Sequence, residues 1–285
     1  MIKKFLIIGG DSRQLYMSEY LESIGYETDL YALPEKNKEC KPNLKKAVKE
    51  ADAIILPLPV TKDGKYIFSI VPVKETLDEI IACLDSDKPV FAGMISRGVK
   101  SRLEKKNIRY FDYFDREDVT VMNTVPTAQG ILKAMIDNID YTIHSSKCAV
   151  FGYGRVARVT ADVLKSIGAD VTVCARKSGD ITTAKICGMK GCRISDFRNI
   201  AHEYNIIINT VPSVIIDRNI LSNLRPDCLI IDVASAPFGT DFAAAYDLGL
   251  NAMQCSSLPG KVAPKTAGKI IADGIINIIK EENYG

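Results

Sequence analysis

The chain has 285 residues, which at roughly 150 per domain points to two domains. Its 37 basic and 35 acidic side chains leave a net charge of +2, too even for a broad basic field that would hold nucleic acid or an anionic membrane. At 47% hydrophobic and 25% charged residues the composition is that of a globular protein and excludes disordered and fibrous classes.

In chain order, residues 5–8 read as an apolar strand stopped by Gly9, Gly10 and Asp11, too short for a signal-peptide core despite Lys3 and Lys4. A helix and a second strand follow through Leu21, Gly25 and Ala32. Runs 52–57 and 89–96 read as further buried parallel strands ending at Pro, Gly or Ser. The longest stretch without charge, 119–132, spans 14 residues and contains Asn123, Pro126 and Gly130, short of the roughly 18–20 that a spanning helix needs. Pro126 and Thr127, then Ile131, Leu132, Met135, Ile136 and Ile139, predict an N-capped amphipathic helix over 126–140 between the domains.

The opening pattern then returns at a constant offset of 143 residues: Gly152 matches Gly9, Leu164 matches Leu21, Gly168 matches Gly25 and Ala175 matches Ala32. Val156, Val159, Val163, Leu164 and Ile167 predict a helix with one buried face, stopped by Gly168 in left-handed conformation. Runs 205–212 and 228–235 repeat the later strands. Lys265 and Thr266, then Ile270, Ile271, Ile275, Ile278 and Ile279, predict a last helix over 266–283 that returns to the first domain. The expected fold is α/β: two doubly wound Rossmann-like domains with parallel sheets, joined by bridging helices around a cleft. Domain one is expected over 1–125 and domain two over 141–265.

Eight cysteines, at 40, 83, 148, 174, 187, 192, 228 and 255, include no C-x-x-C pair, and only His144 and His202 could add imidazole ligands. Reduced, mostly buried thiols, no metal and a cytoplasmic location are expected. His144 reads as a linker residue and no general base is assigned.

Gly152, Tyr153, Gly154, Arg155, Val156 and Ala157 form a G-x-G-x-x-A turn between a strand and a helix, the setting in which pyrophosphate rests on a helix N-terminus. The matching turn of the first half carries Asp11 where phosphate would lie, so only the second domain is expected to bind a dinucleotide. Where an NAD-binding chain usually places an acidic residue, this one has Arg176 and Lys177, which suit a ribose 2′-phosphate. NADP is therefore expected, with NAD the alternative. Strand ends at Thr210, Val211 and Pro212, and at Asp232 and Ser235, are expected to flank the nicotinamide. Cations on loops, namely Arg13, Arg97, Arg116, Lys261 and Lys265, suit a small, multiply anionic substrate.

Strings spread over nearly the whole chain resemble the A subunits of bacterial dipicolinate synthase. They include 8–14 (Ile-Gly-Gly-Asp-Ser-Arg-Gln), 123–130, 141–144, 152–155, 209–213, 239–242 and, most specifically, 258–268 (Leu-Pro-Gly-Lys-Val-Ala-Pro-Lys-Thr-Ala-Gly). The resemblance implies a nicotinamide-dependent oxidation of a dihydrodipicolinate-type dicarboxylate to dipicolinate during spore formation. It further implies a partner, the flavoprotein-like B subunit of that enzyme, together with a homo-oligomer and the mother-cell cytoplasm as location. Arg13, Arg116, Lys265 and Thr266 fall in or beside these strings and are candidates to bind and orient the substrate. Two other readings stay open. One is a 2-hydroxyacid or alanine dehydrogenase-like enzyme on the same plan, against which stands the lack of any His after His202; the other is a non-catalytic nucleotide sensor.

Overall fold

The computed structural model describes residues 1–34, 43–282 and 284, so Cys40 and position 283 lie outside the described residues. The chain divides into two units, 1–123 with 263–285, and 124–262. The first opens with β1 (Lys4–Ile8), α1 (Ser12–Ser23), β2 (Glu27–Tyr31), α2 (Leu44–Glu50) and β3 (Ala53–Ile55). It continues with α3 (Leu77–Cys83), β4 (Val90–Ala92), α4 (Arg97–Lys105), β5 (Tyr110–Asp112) and α5 (Glu117–Met122). Its five parallel strands are ordered β2-β1-β3-β4-β5.

The second unit begins with α6 (Thr124–Ile136), β6 (Lys147–Phe151), α7 (Arg155–Ser166), β7 (Asp170–Ala175), α8 (Ser178–Ile186) and β8 (Lys190–Arg193). Two short 3-10 turns lead to β9 (Ile206–Asn209), α9 (Arg218–Leu221), β10 (Leu229–Asp232), α10 (Phe242–Asp247), β11 (Asn251–Gln254) and α11 (Leu258–Val262). Its six strands are all parallel in the order β11-β10-β9-β6-β7-β8. The last helix, α12 (Pro264–Glu281), belongs to the first unit, where Ile271, Ile275, Ile278 and Ile279 share a core with Phe5, Ile7, Met17 and Leu21.

Both sheets are therefore doubly wound, as the sequence predicts, and the repeat is structural. Strand, helix and second strand start at 147, 155 and 170 in one unit against 4, 12 and 27 in the other. Strand order reverses between β1 and β3 in the first unit and between β6 and β9 in the second, the points where open α/β sheets bind ligands at their carboxyl edges.

Local readings shift in three places. The buried face of α7 is Ala157, Thr160, Ala161 and Leu164, one position round from the valine stripe, and Ile167 is exposed. Small side chains let this helix lie close on the sheet, which leaves the bulkier valines at its margins. Helix α6 starts at Thr124, with Pro126 inside its first turn, where proline forfeits no hydrogen bond, and it ends before Ile139. Helix α12 starts at Pro264 with Ala263 as its cap, so Lys265 and Thr266 lie within the first turn. Cys148, Cys174 and Cys228 are wholly buried, and burial pushes the Cys148 and Cys228 thiols up to about 12. Among the described residues no cluster of three or more His, Cys, Asp or Glu could hold a metal, and no helix is long and apolar enough to cross a membrane.

Candidate active site

At the end of β6 the chain turns through Gly152 at φ +94°, a backbone region that favours glycine. A Cβ there would lie 2.6 Å from Thr210 Oγ1 and 3.0 Å from Val211 Cγ2, so glycine lets the loops after β6 and β9 touch. Thr210 Oγ1 donates to the Phe151 carbonyl (2.8 Å) and locks the two strand ends together. Gly154 caps α7 with extended backbone, supplies no side-chain acceptor, and borders open space: a Cβ on it would meet nothing within 4 Å.

The equivalent helix of the first unit is closed. Asp11 accepts from the Arg13 amide (2.9 Å) through its carboxylate, and Gln14 Oε1 accepts from the Asp11 amide (2.9 Å). Of two homologous turns, one neutralises its helix dipole with its own carboxylate. The other has no side-chain cap at the start of α7, which fits the pyrophosphate of a dinucleotide resting on the first-turn backbone. Tyr153 offers only backbone here. Its ring is 7% exposed and packs in the core, with the Arg158 guanidinium 4.9 Å from its centroid and Arg158 Nε donating to its carbonyl (2.9 Å).

Arg176 and Lys177 follow β7 as exposed side chains that carry no ion pair among the described residues; the nearest acid in sequence, Asp180, faces Arg158 at 3.9 Å. Beyond β9, Asn209 orders the next loop: its Oδ1 accepts from the Val211 amide (3.0 Å) and its Nδ2 donates to the Val211 carbonyl (3.1 Å) and to Asp232 Oδ2 (3.0 Å). Pro212 and Ser235 are exposed on the two strand-end loops. Asp232 departs from its expected role. It is wholly buried, and its oxygens accept from Asn209 Nδ2, the Gly239 amide (2.9 Å) and the Ala234 amide (3.0 Å), so it shapes the loop and presents no atom to a cofactor.

In the first unit, Arg13 is 6% exposed and its guanidinium donates to both Asp11 oxygens and to the Leu58 carbonyl (2.6 Å) beyond the end of β3. Helices α1 and α12 lie against each other in the same sense: Gly268 meets Arg13, and further along Tyr20 donates to Asp273 (2.7 Å). Lys265 and Thr266, both exposed, are thus brought to the same end of the unit as Arg13.

Arg116 is not with them. It caps α5 and pairs with Asp118 (2.9 Å) and with Glu281 (2.6 Å) at the far end of α12, about 24 Å of helix away from Lys265. The sequence interval hides this, because α12 runs the length of the unit between them. Arg97 and Lys261 are exposed on α4 and α11. His144 sits at the opposite strand ends from Gly152, its ring filling the place of a Gly168 Cβ (2.3 Å) and its Nδ1 beside Ser145 Oγ (2.9 Å).

The Arg116 pair yields a pH-dependent expectation. Hydrogen bonding from Arg116 holds the Asp118 carboxyl at about 2, below an unfolded value near 4, so the stabilisation is complete above pH ~4 and is lost as pH falls through ~2. Asp118 is 42% exposed, and solvent screening leaves about 0.5–1 kcal/mol. Arg116→Ala should lower stability by that amount at pH 7 and by nothing measurable at pH 2, read by urea unfolding at both; an equal loss at both values would show that packing, not charge, is what Arg116 contributes.

Residues 4–114 match the family model of the N-terminal domain of the dipicolinate synthase A subunit, and residues 123–271 match that of the S-adenosyl-L-homocysteine hydrolase NAD binding domain. A crystal structure of the dipicolinate synthase A subunit from Bacillus halodurans superposes with a TM-score of 0.87 at 31% identity, covering 97% of each chain. The crystal structure of its counterpart from Bacillus subtilis gives a TM-score of 0.86 at 30% identity, covering 99% of this chain and 97% of that one. In sequence, the dipicolinate synthase A subunit of Bacillus subtilis (strain 168) is 30% identical over 287 aligned positions, 98% of this chain and 96% of its own length. With that identity along nearly all of both chains, on the same two sheets, the chain belongs to the family of dipicolinate synthase A subunits.

Proposed function

We propose that the chain oxidises a dihydrodipicolinate-type substrate to dipicolinate with NADP, as the A subunit of a dipicolinate synthase that works with a flavoprotein-like B subunit in the mother-cell cytoplasm. The observation that carries the cofactor reading is the uncapped start of α7 beside the open face of Gly154, with unpaired Arg176 and Lys177 at the end of the adjoining strand. The nicotinamide, when bound, supplies a hydride acceptor. Residues 152–156 hold the pyrophosphate through backbone amides, and Thr210, Val211, Pro212 and Ser235 line the strand ends beyond it. Oxidation of a dihydropyridine-type ring gains aromatic stabilisation, so orientation matters more than a strong base. Arg13, Lys265 and Thr266 supply that orientation by binding the two carboxylates. Arg116 stands outside this set because its pairing with Glu281 holds it at the far end of α12 from Lys265.

The test measures absorbance at 340 nm with freshly prepared dihydrodipicolinate and each nicotinamide, with and without the B subunit. Substrate-dependent reduction, larger with NADP, is expected; no reduction under any of the four conditions would overturn the reading in favour of a nucleotide sensor. In direct titration NADP should bind about ten- to a hundredfold more tightly than NAD at low salt, with the gap shrinking as salt rises. Arg176→Asp should narrow or reverse that gap, because its carboxylate repels the phosphate and accepts from ribose hydroxyls. Equal affinities in the unmodified protein would leave Arg176 as a surface charge.

A further inference from the structure

The cation that the sequence interval conceals is Arg193. Strand β8 pairs in parallel with β7 so that Arg193 stands opposite Ala175, the last residue of β7. Arg193 therefore leaves the sheet at the same edge as Arg176 and Lys177, although it lies well beyond them in the chain. Its Nη2 donates to Ser178 Oγ (3.2 Å), the first residue of α8. Gly191 makes this possible, since a Cβ on it would fall 2.6 Å from Ile181 Cγ2; without one, α8 can lie against β8 and bring Ser178 to Arg193.

Arg193 and Ser178 share a shallow surface cavity of about 360 Å³, which Lys185 also lines. The one acidic side chain in its lining, Asp196, accepts from Ser195 Oγ (2.8 Å). Lys177, the residue before α8, gives that helix no side-chain cap. The arrangement is a planar guanidinium held by a hydroxyl, with two more cations on the adjacent strand end and no carboxylate paired to any of the three among the described residues. Such a set matches a dianionic phosphate monoester better than a neutral diol, because a phosphate can take paired donors from a guanidinium and a further donor from the hydroxyl, whereas ribose hydroxyls need an acceptor.

We infer that Arg193, positioned by Ser178, determines cofactor specificity by binding the 2′-phosphate of the adenosine ribose, with Arg176 and Lys177 enclosing it from the other strand. The inference rests on the NADP reading above and adds the residue that grips the phosphate. It also explains an edge strand with no apolar pattern: Lys190, Gly191, Cys192 and Arg193 form β8 for the sake of what its last residue delivers.

Calorimetric titrations with NADP, NAD, 2′,5′-ADP and 5′-AMP test it on the full chain. Arg193→Ala should weaken NADP and 2′,5′-ADP about ten- to fiftyfold while NAD and 5′-AMP change less than about twofold. Arg193→Lys should recover part of the loss, Ser178→Ala should cost severalfold for the 2′-phosphorylated ligands alone, and Arg198→Ala, an exposed arginine of the following turn, should change nothing beyond about twofold. Unchanged NAD affinity serves as the folding control. An unmodified protein that prefers NADP and keeps that preference in Arg193→Ala would overturn this inference and leave the NADP reading standing. An equal loss for Arg198→Ala would reduce Arg193 to one charge in a diffuse field and overturn it also. An unmodified protein without a preference would overturn both.

Discussion

Gly152→Val is expected to abolish dinucleotide binding while leaving the first unit folded. At φ +94° a β-branched side chain is strained by an amount on the order of 1–3 kcal/mol, and its Cβ would sit 2.6 Å from Thr210 Oγ1, whose bond to Phe151 ties β6 to β9. Relief requires the two strand ends to part at the point where the sheet reverses order. The amides of Gly154, Arg155 and Val156 then no longer converge, so the affinity falls by more than about a hundredfold, equivalent to some 2.7 kcal/mol or more. Titration of NADP, with circular dichroism to follow the fold, reads the result. Affinity within tenfold of the unmodified protein would mean that the loop is not the cofactor cradle.

The second large effect concerns stability. In α12, a Cβ on Gly268 would fall 2.4 Å from the Arg13 carbonyl oxygen and 2.9 Å from the Met17 amide nitrogen, both backbone atoms that cannot rotate away. Gly268→Val must therefore separate α12 from α1, and with it the isoleucines that close the core of the first unit. A loss of about 3–5 kcal/mol is expected, at the upper end of overpacking because no side chain can yield. Gly98→Ala in α4, where a Cβ meets nothing within 4 Å, is the control and should be neutral or stabilising by about 0.5–1 kcal/mol. Urea unfolding of both variants decides the matter; a loss below about 1 kcal/mol for Gly268→Val would show that α12 slides freely on α1.

The strands β1, β3, β4, β6, β9 and β10 are legible because they are short apolar runs, and β2 and β7 because the second half restates the first; the edge strands β5, β8 and β11 carry no such run and are not predicted. What escaped reading did so for physical reasons. The sheet-facing side of α7 sets Ala157, Thr160 and Ala161 beside the predicted Leu164, so hydrophobicity alone favours the valines at its margin. Asp232 and Ser235 look alike as strand-end polar residues, yet one is buried with its carboxylate accepting from three donors and the other is exposed; only burial separates them. Arg116 reads from the sequence as a loop cation, because its partner Glu281 is brought to it only by the path of α12. Arg193 lay on an edge strand with no hydrophobic alternation, and its neighbours in space come from another strand and helix.

The first unit is assembled from two stretches of chain separated by the 139 residues of 124–262. During synthesis its core stays incomplete until α12 has been made, whereas the second unit is contiguous and can fold earlier. Within that second unit, its first and last helices meet, with Gly130 of α6 directly under the Leu258 side chain of α11. Folding of the insert therefore fastens its own two ends together and replaces a long floppy loop with a short closed one. On the logarithmic dependence of loop entropy, shrinking an effective loop of that length about tenfold lowers the entropic barrier to docking α12 by about 2 kcal/mol. The nucleotide-binding unit thus acts as a splint, and an order of folding is written into where the last helix returns.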